Sequence, residues 1–439
     1  LKDLEIHDKI GHYRYRILAL VFMATTINYF DRSILGVMAP TLQNLFDWSN
    51  KDYAAIIVSF KIAYGMGLLF MGGIIDRFGT KIGYTVSIVI WSLFGMLHAA
   101  IRQSFSLVGF IVARFGLGIG ESGNFPAAIK TVAEWFPKRD RAFATGIFDA
   151  STSVGAILAP FIVGAIVSVE GKNWQIPFLI TGVLSSLWVF LWLKTYKKPE
   201  LHPRLSKNEL AYINIDSEEE TREKIPWLKL IPRRETWAFA LTTLTDAVWW
   251  FYLFWGAKFL NEQFGVDIKN IGLPFLVIFI MADAGSLIGG YASGVLIKKG
   301  WSINKARKTT MLVCAIIILP LTIVPVVTSK WLAVFLIALG AAGHQAWSIN
   351  GYTLVPDVFP KKATASVIGI GKMIGVAASI IADIALGSVL DTANNSGYFW
   401  AFVIAGSSYL IILGFVHLLM PKMVPLNDNL EYIKEGVKA

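Results

Sequence analysis

The chain has 439 residues, of which 55% are hydrophobic and only 16% charged. A soluble protein of this length carries about 25% charged residues, and a mean hydropathy of +0.57 with long apolar runs from end to end excludes a soluble α/β enzyme. The net charge of +10 does not point to nucleic acid, because the basic residues cluster in alternate loops, which is a membrane topology signal.

The first sixteen residues are polar and basic, and the apolar run that follows is long enough to span a bilayer, so no removable signal peptide is read. Twelve spans are expected, at about 16–38, 52–75, 82–101, 105–129, 142–168, 174–195, 236–260, 271–297, 309–328, 331–355, 363–390 and 397–420. The fifth and eleventh exceed what a bilayer needs and are expected to tilt or project. With both termini inside, the inside segments hold 29 Lys/Arg and the outside loops 5, which sets the orientation under the positive-inside rule. The fold class is therefore an all-α membrane protein with twelve transmembrane helices in two six-helix bundles. The expected organisation is an N-terminal bundle at 1–195, a cytoplasmic linker at 196–235 and a C-terminal bundle at 236–439. The linker carries Glu218, Glu219 and Glu220 among basic residues and four prolines, and reads as a solvated connection with some amphipathic helix. Two halves joined by a long loop suggest two repeats around a midplane site.

Charged residues inside spans carry the functional argument, because each costs at least about 2.5 kcal/mol at the bilayer centre. Span one holds Asp31 and Arg32 after Asn28 and Tyr29. Span two holds Lys61 and Tyr64, three apart and on one helix face. The loop after it contains Gly72, Asp76 and Arg77, which read as a salt-bridged gate; Gly72 would permit close helix packing. The fourth span is the organising stretch, 113–126, with Arg114, four glycines, Glu121 and a proline. Arg114 and Glu121 are seven positions apart, within about 20° of one helix face, so both are expected to face a polar cavity. Glu134 and Arg141 follow in the next loop. In the second half, Asp246 precedes Trp249 and Trp250, and a later span carries His344, Gln345, Trp347, Ser348 and Asn350. Lys372 can either bind a substrate carboxylate or pair with Asp383, eleven positions on. The counterpart of the first gate loop, around Gly294, has no carboxylate where the first copy has Asp76. The single cysteine, Cys314, sits in the apolar run 311–319 and reads as a packing residue, with no disulfide or thiolate metal site in the chain. No cofactor, metal cluster, nucleophile–base pair or phosphate loop is read.

The loop Gly72 to Lys81, of pattern G-x-x-x-D-R-x-G-x-K, resembles the signature of the major facilitator superfamily, and the six-plus-six pattern extends this over the whole chain. Asn28 to Arg32, Gly118 to Pro126 and Glu134 to Arg141 resemble the anion:cation symporter branch. The stretches Thr245 to Trp255, Gly343 to Ser348 and Asp357 to Lys362 look most like bacterial hexuronate transporters. The resemblance implies a transporter, not an enzyme, in a bacterial inner membrane, and that Arg114 neutralises Asp31 across the bundle.

The residue chemistry fits an anion with hydroxyls. Arginine matches a carboxylate bidentately, a lysine adds a point charge, and amides beside aromatic faces suit a sugar ring. Candidate substrate contacts are Tyr29, Arg32, Lys61, Tyr64, Arg114, Trp249, His344, Gln345, Asn350 and Lys372. Besides that of Lys372, alternatives stay open: Arg32 can be an ion pair, with Glu121 as partner, His344 can be a helix-to-helix hydrogen bond, and Asp31 and Glu121 can be permanently ionised carboxylates that hold the helices together. Asp31 and Glu121 are the candidate proton-coupling pair, balanced between burial, which disfavours charge, and neighbouring cations, which favour it. Gly72, Asp76, Arg77, Glu134 and Arg141 are the candidate gate. The expected function is proton-coupled import of a polyhydroxylated monocarboxylate, most like a hexuronate, by alternating access of a functional monomer. The partners are the organic anion, protons and the bilayer. The rival expectations are galactonate or another organic anion on the same fold, and an uncoupled facilitator.

Overall fold

The computed structural model describes residues 11–215, 225–392 and 396–433; the Glu218 to Glu220 run lies outside them. The described residues are helical, with one isolated antiparallel bridge between Leu426 and Tyr432. The chain divides into two compact units, one of residues 1–48 and 55–220, the other of residues 49–54 and 221–439.

Unit 1 begins with α1 (Tyr13–Val37), followed by the short α2 (Ala39–Phe46). Next comes α3 (Asn50–Leu97), part of this unit from residue 55 on, which contains two of the expected spans, bent at Gly79. Gly79 has φ +81° and ψ 160°, a conformation that a residue with a β-carbon resists, so glycine sets where the chain turns back. The expected fourth span is two helices, α4 (Ser106–Glu121) and α5 (Asn124–Trp135), separated at Ser122 and Gly123. The glycines of α4 are packing contacts. A β-carbon on Gly118 would lie 2.5 Å from the Phe60 carbonyl oxygen, and one on Gly120 would lie 2.4 Å from the Trp91 nitrogen, so α4 rests directly on the backbone of α3 at two heights. The unit is completed by α6 (Lys138–Ile166), α7 (Ile176–Thr195) and α8 (Lys207–Ile213). Its core tryptophans also satisfy polar groups: Trp91 donates to Ser185 at 3.0 Å, Trp188 to the Leu20 carbonyl at 2.7 Å and Trp192 to the Lys81 carbonyl at 3.1 Å.

Helix α8 is amphipathic, with Glu209 and Ile213 buried and Lys207, Asn208 and Ala211 exposed. Ser206 caps it, accepting from the Glu209 N–H at 3.1 Å. Glu209, 1% exposed, accepts from the backbone N–H of Tyr13 (3.1 Å) and Arg14 (3.0 Å) and from Arg14 Nη1 (3.3 Å). A carboxylate thus caps the exposed amides at the start of α1, where the helix dipole favours negative charge. Tyr212 donates to Asp140 at 2.7 Å, tying the same segment to the start of α6. His202 packs its ring 4.3 Å from that of Tyr13, and burial holds its imidazole below the ordinary histidine value.

Unit 2 starts with α9 (Trp227–Leu230). The expected seventh span follows as three pieces, α10 (Arg234–Thr243), α11 (Asp246–Phe254) and α12 (Gly256–Phe264). The break at 244–245 follows from threonine chemistry. Thr242, Thr243 and Thr245 donate to the carbonyls of Phe239, Ala240 and Thr242, competing with the helical ladder. The later helices are α13 (Gly272–Lys298), α14 (Ile303–Ile318), α15 (Lys330–Val358), α16 (Lys361–Thr392) and α17 (Ser396–Leu419). A 3₁₀ segment with Pro325 inside, Leu319–Val326, continues α14. Among the described residues, nine helices are long and apolar enough to cross a membrane by length and composition. Three further crossings have physical reasons for falling outside that count: α3 holds two spans, α1 carries Asn28, Asp31 and Arg32, and α10 to α12 are interrupted. The fold is therefore a multi-pass, twelve-helix membrane bundle.

Candidate functional site

In unit 1 the buried charges of α1 and α4 come together. Arg32 donates from Nε to Glu121 Oε2 at 2.8 Å, and its Nη2 lies 2.7 Å from the same oxygen. Both residues are 2% exposed or less. Nη2 also reaches Asn28 Oδ1 at 3.4 Å. The guanidinium carbon sits 4.6 Å from the Tyr29 ring, 4.9 Å from Tyr64 and 5.4 Å from Phe60, so aromatic faces surround the cation where it does not meet Glu121. Of the two sequence readings of Arg32, the ion pair with Glu121 is present.

Asp31 is buried beside this pair. Its Oδ1 accepts from Thr181 Oγ1 at 3.3 Å, and Gly95 lies so close that a β-carbon there would stand 2.9 Å from Oδ2. Thr181 went unseen in the sequence because it lies 150 residues away on an apolar helix. Among the described residues, Asp31 Oδ2 and Glu121 Oε1 are buried carboxylate oxygens without a hydrogen-bond partner. Such oxygens cost about 1–3 kcal/mol or more when ionised and unpaired, and they are positions where a proton can reside. Arg114 is fully buried and within electrostatic reach of both carboxylates. Lys61 is buried on α3, one turn before the Tyr64 ring that covers Arg32.

In unit 2, Lys372 on α16 meets Asp246 on α11 at 3.2 Å. This answers the sequence alternative differently. The Asp383 carboxylate instead accepts from Trp255 Nε1 at 3.0 Å, and the Lys372 ammonium lies 4.8 Å above the Tyr352 ring. His344 is buried, with Nδ1 2.7 Å from the Tyr409 hydroxyl and its ring stacked on Trp249 at 5.9 Å and 12°. The helix-to-helix hydrogen bond is thus present, and Trp249 is half-buried. Gln345 is half-buried. Asn350 keeps its amide oxygen Oδ1 without a hydrogen-bond partner among the described residues. It is fully buried, and its Nδ2 donates to the Gly289 carbonyl at 3.0 Å and the Ala346 carbonyl at 2.9 Å, holding α15 against α13.

The loop residues of unit 1 also pair. Asp76 bonds Lys130 Nζ at 2.7 Å, and Arg77 is exposed, its guanidinium 5.6 Å from the Phe78 ring. Nothing lies within 4 Å of a β-carbon built on Gly72, so the close approach expected there is not made in this structure. Glu134 accepts from Thr80 at 2.7 Å and from the Tyr196 hydroxyl, and Arg141 donates to the carbonyls of Phe136 (3.1 Å) and Ala133 (2.8 Å) at the end of α5. Unit 2 has its own version, which its loop sequence concealed. Arg307 Nε meets Asp357 at 3.0 Å and Nη1 donates to Ser293 at 2.7 Å, beside the carboxylate-free Gly294 position. Among the described residues, no group of three His, Cys, Asp or Glu side chains is placed to hold a metal.

Comparison with known proteins agrees with this architecture. The chain is 31% identical over 399 residues to the hexuronate transporter of Escherichia coli (strain K12), covering 89% of this chain and 91% of that protein. It is 28% identical to a probable galactarate/D-glucarate transporter of Bacillus subtilis (strain 168), over 91% and 92% of the two chains. The fold superposes with a TM-score of 0.75 on the crystal structure of a bacterial homologue of the human lysosomal transporter Spinster, at 18% identity and over 94% and 98% of the two chains. The profile of the Major Facilitator Superfamily matches residues 21–383, and the chain, a membrane transporter rather than an enzyme, belongs to that family.

Proposed function

We propose that the chain is a proton-coupled symporter that imports a sugar-acid anion, with hexuronates such as glucuronate and galacturonate as the first candidates, by alternating access. The observation that carries this reading is the buried Arg32–Glu121 pair, enclosed by Tyr29 and Tyr64 and set beside Asp31. One guanidinium cannot serve two carboxylates equally well. A proton on Glu121 weakens its hold on Arg32, and an incoming carboxylate takes the guanidinium with a bidentate, charge-assisted contact. A second proton on Asp31 lowers the net negative charge of the loaded cluster, which reduces the cost of enclosing it. Loss of the protons on the other side lets Glu121 reclaim Arg32 and expel the anion.

In this reading Asp31 and Glu121 are the coupling pair, and Arg32 with Tyr29 and Tyr64 receives the carboxylate. Arg114 and Lys61 balance the cluster's charge. In unit 2 we assign substrate contact to Trp249, His344, Gln345 and Lys372, and a structural role to Asn350, whose amide nitrogen is already occupied while its Oδ1 has no hydrogen-bond partner among the described residues. Asp76, Arg77, Glu134 and Arg141 act at the gating loops, with Gly72 making its close approach in another conformation. The two six-helix halves, on either side of the 196–235 linker, provide the alternation, and a monomer suffices. The 29 to 5 distribution of Lys/Arg supports both termini in the cytoplasm, and bacterial relatives support an inner-membrane location.

The test is competition. Uptake of labelled glucuronate into proteoliposomes is measured against unlabelled galacturonate, galactonate, tartrate and glutamate. The reading expects competition by galacturonate first, and loss of uptake in Arg32→Gln. Undiminished uptake by Arg32→Gln would remove Arg32 from the site.

A further inference from the structure

The Asp246–Lys372 pair carries information about substrate class beyond the general reading of a sugar acid. The two residues are 126 positions apart, on α11 and α16, and meet at 3.2 Å. The lysine side chain keeps 45% of its surface exposed and the aspartate 13%. An ammonium has three donors. One is taken by Asp246 Oδ2, and the Tyr352 ring at 4.8 Å covers a second side. What remains is one N–H on Lys372 next to Asp246 Oδ1, the carboxylate oxygen that does not accept from the lysine. The pair therefore presents one donor and one acceptor a few ångströms apart, with zero net charge.

A hydroxyl, or two neighbouring ones, uses both, accepting from Lys372 and donating to Asp246. A carboxylate uses only one. Placed on Lys372, it would bring a second negative charge against Asp246 around a single ammonium, with neither charge well solvated. We propose that Asp246 is a specificity-determining residue that reads the hydroxyl-bearing end of the substrate and rejects a second carboxylate there. The chain then selects monocarboxylic sugar acids over six-carbon diacids, although relatives at similar identity are named for both kinds. Lys372 alone would have suggested the opposite preference; its partner reverses it. This inference rests on the proposed transport of sugar acids.

The experiment compares glucuronate with glucarate, which share one carboxylate and differ at the other end, where glucuronate in its ring form carries a hemiacetal hydroxyl and glucarate a second carboxylate. Competition against labelled glucuronate uptake is measured for wild type, Asp246→Asn and Lys372→Gln, with thermal melts to establish that each variant folds. Wild type is expected to take glucarate at least 10-fold more weakly than glucuronate. Asp246→Asn is expected to narrow that ratio at least 5-fold, and Lys372→Gln to leave it as wide or widen it. If wild type transports glucuronate but takes glucarate equally well, or if a folded Asp246→Asn keeps the wild-type ratio, the inference is overturned while the general reading stands. If Asp246→Asn does not fold, the wild-type ratio together with Lys372→Gln decides: narrowing in Lys372→Gln overturns the inference. Transport of glucarate without glucuronate would overturn the inference and the hexuronate assignment together. No uptake of any sugar acid would remove the reading on which both stand.

Discussion

Replacing Glu121 tests the competition for Arg32 directly. In Glu121→Gln the side-chain amide oxygen can still accept from Arg32 Nε, now 2.8 Å from the carboxylate, but the variant can neither bind nor release a proton. It is fixed in the state that yields the guanidinium to substrate. Exchange of internal for external substrate needs no net proton movement and is expected within about threefold of wild type. Accumulation is another matter. One pH unit supplies about 1.36 kcal/mol per coupled proton, a tenfold concentration ratio. With Asp31 and Glu121 both coupled, the ceiling is about 100-fold per pH unit, and losing one proton lowers it to about 10-fold or less. Glu121→Ala differs in kind, because it leaves Arg32 buried without its carboxylate. Breaking such a pair costs about 3–5 kcal/mol, so this variant should melt well below Glu121→Gln. The assay is paired counterflow and gradient-driven uptake in proteoliposomes, with thermal melts of each protein. A Glu121→Gln protein that accumulates substrate like wild type at equal ΔpH would refute the reasoning.

Other outcomes follow from the packing. Glu209→Ala should strip the amide cap from α1 and cost roughly 3 kcal/mol, read as a lower melting temperature, with the accumulation ratio at a fixed ΔpH unchanged. Gly120→Ala should destabilise or prevent folding, since its β-carbon would stand 2.4 Å from the Trp91 backbone nitrogen; wild-type yield and melting would contradict the close packing of α4 on α3. His202 should make stability pH-dependent. Burial lowers its folded-state affinity for protons, so the unfolded chain binds more protons. This contribution to stability is complete above about pH 6.5 and is lost as the pH falls below it. His202→Gln should melt with a weaker dependence between pH 7.5 and 5.5, and an unchanged slope would count against the burial argument.

What could be read from the sequence divides by the range of the interaction. Hydropathy and loop charge are local, and so were the twelve spans. Gly79 was legible as part of the loop motif, and its positive φ is the reason. Arg114 and Glu121, seven apart on one helix, could be placed on one face by periodicity. Partner choice could not. Arg32 and Glu121 are 89 positions apart, Asp246 and Lys372 126, and Arg307 and Asp357 50, and helical periodicity says nothing about which helices adjoin. Lys372 was offered Asp383 because eleven residues is a helical repeat, yet Asp383 bonds Trp255. In the linker, composition does not show that Glu209, set among polar residues, is buried because it caps α1. Periodicity was equally silent on the Gly289 and Ala346 carbonyls that the Asn350 Nδ2 serves.

The central claim is that an anion and protons move together. Uptake of radiolabelled glucuronate into proteoliposomes, with and without an inward proton gradient, tests it most directly. The account predicts accumulation above equilibrium only when the gradient is imposed, collapsing on addition of a protonophore. Equilibration to the same level with and without the gradient would contradict it.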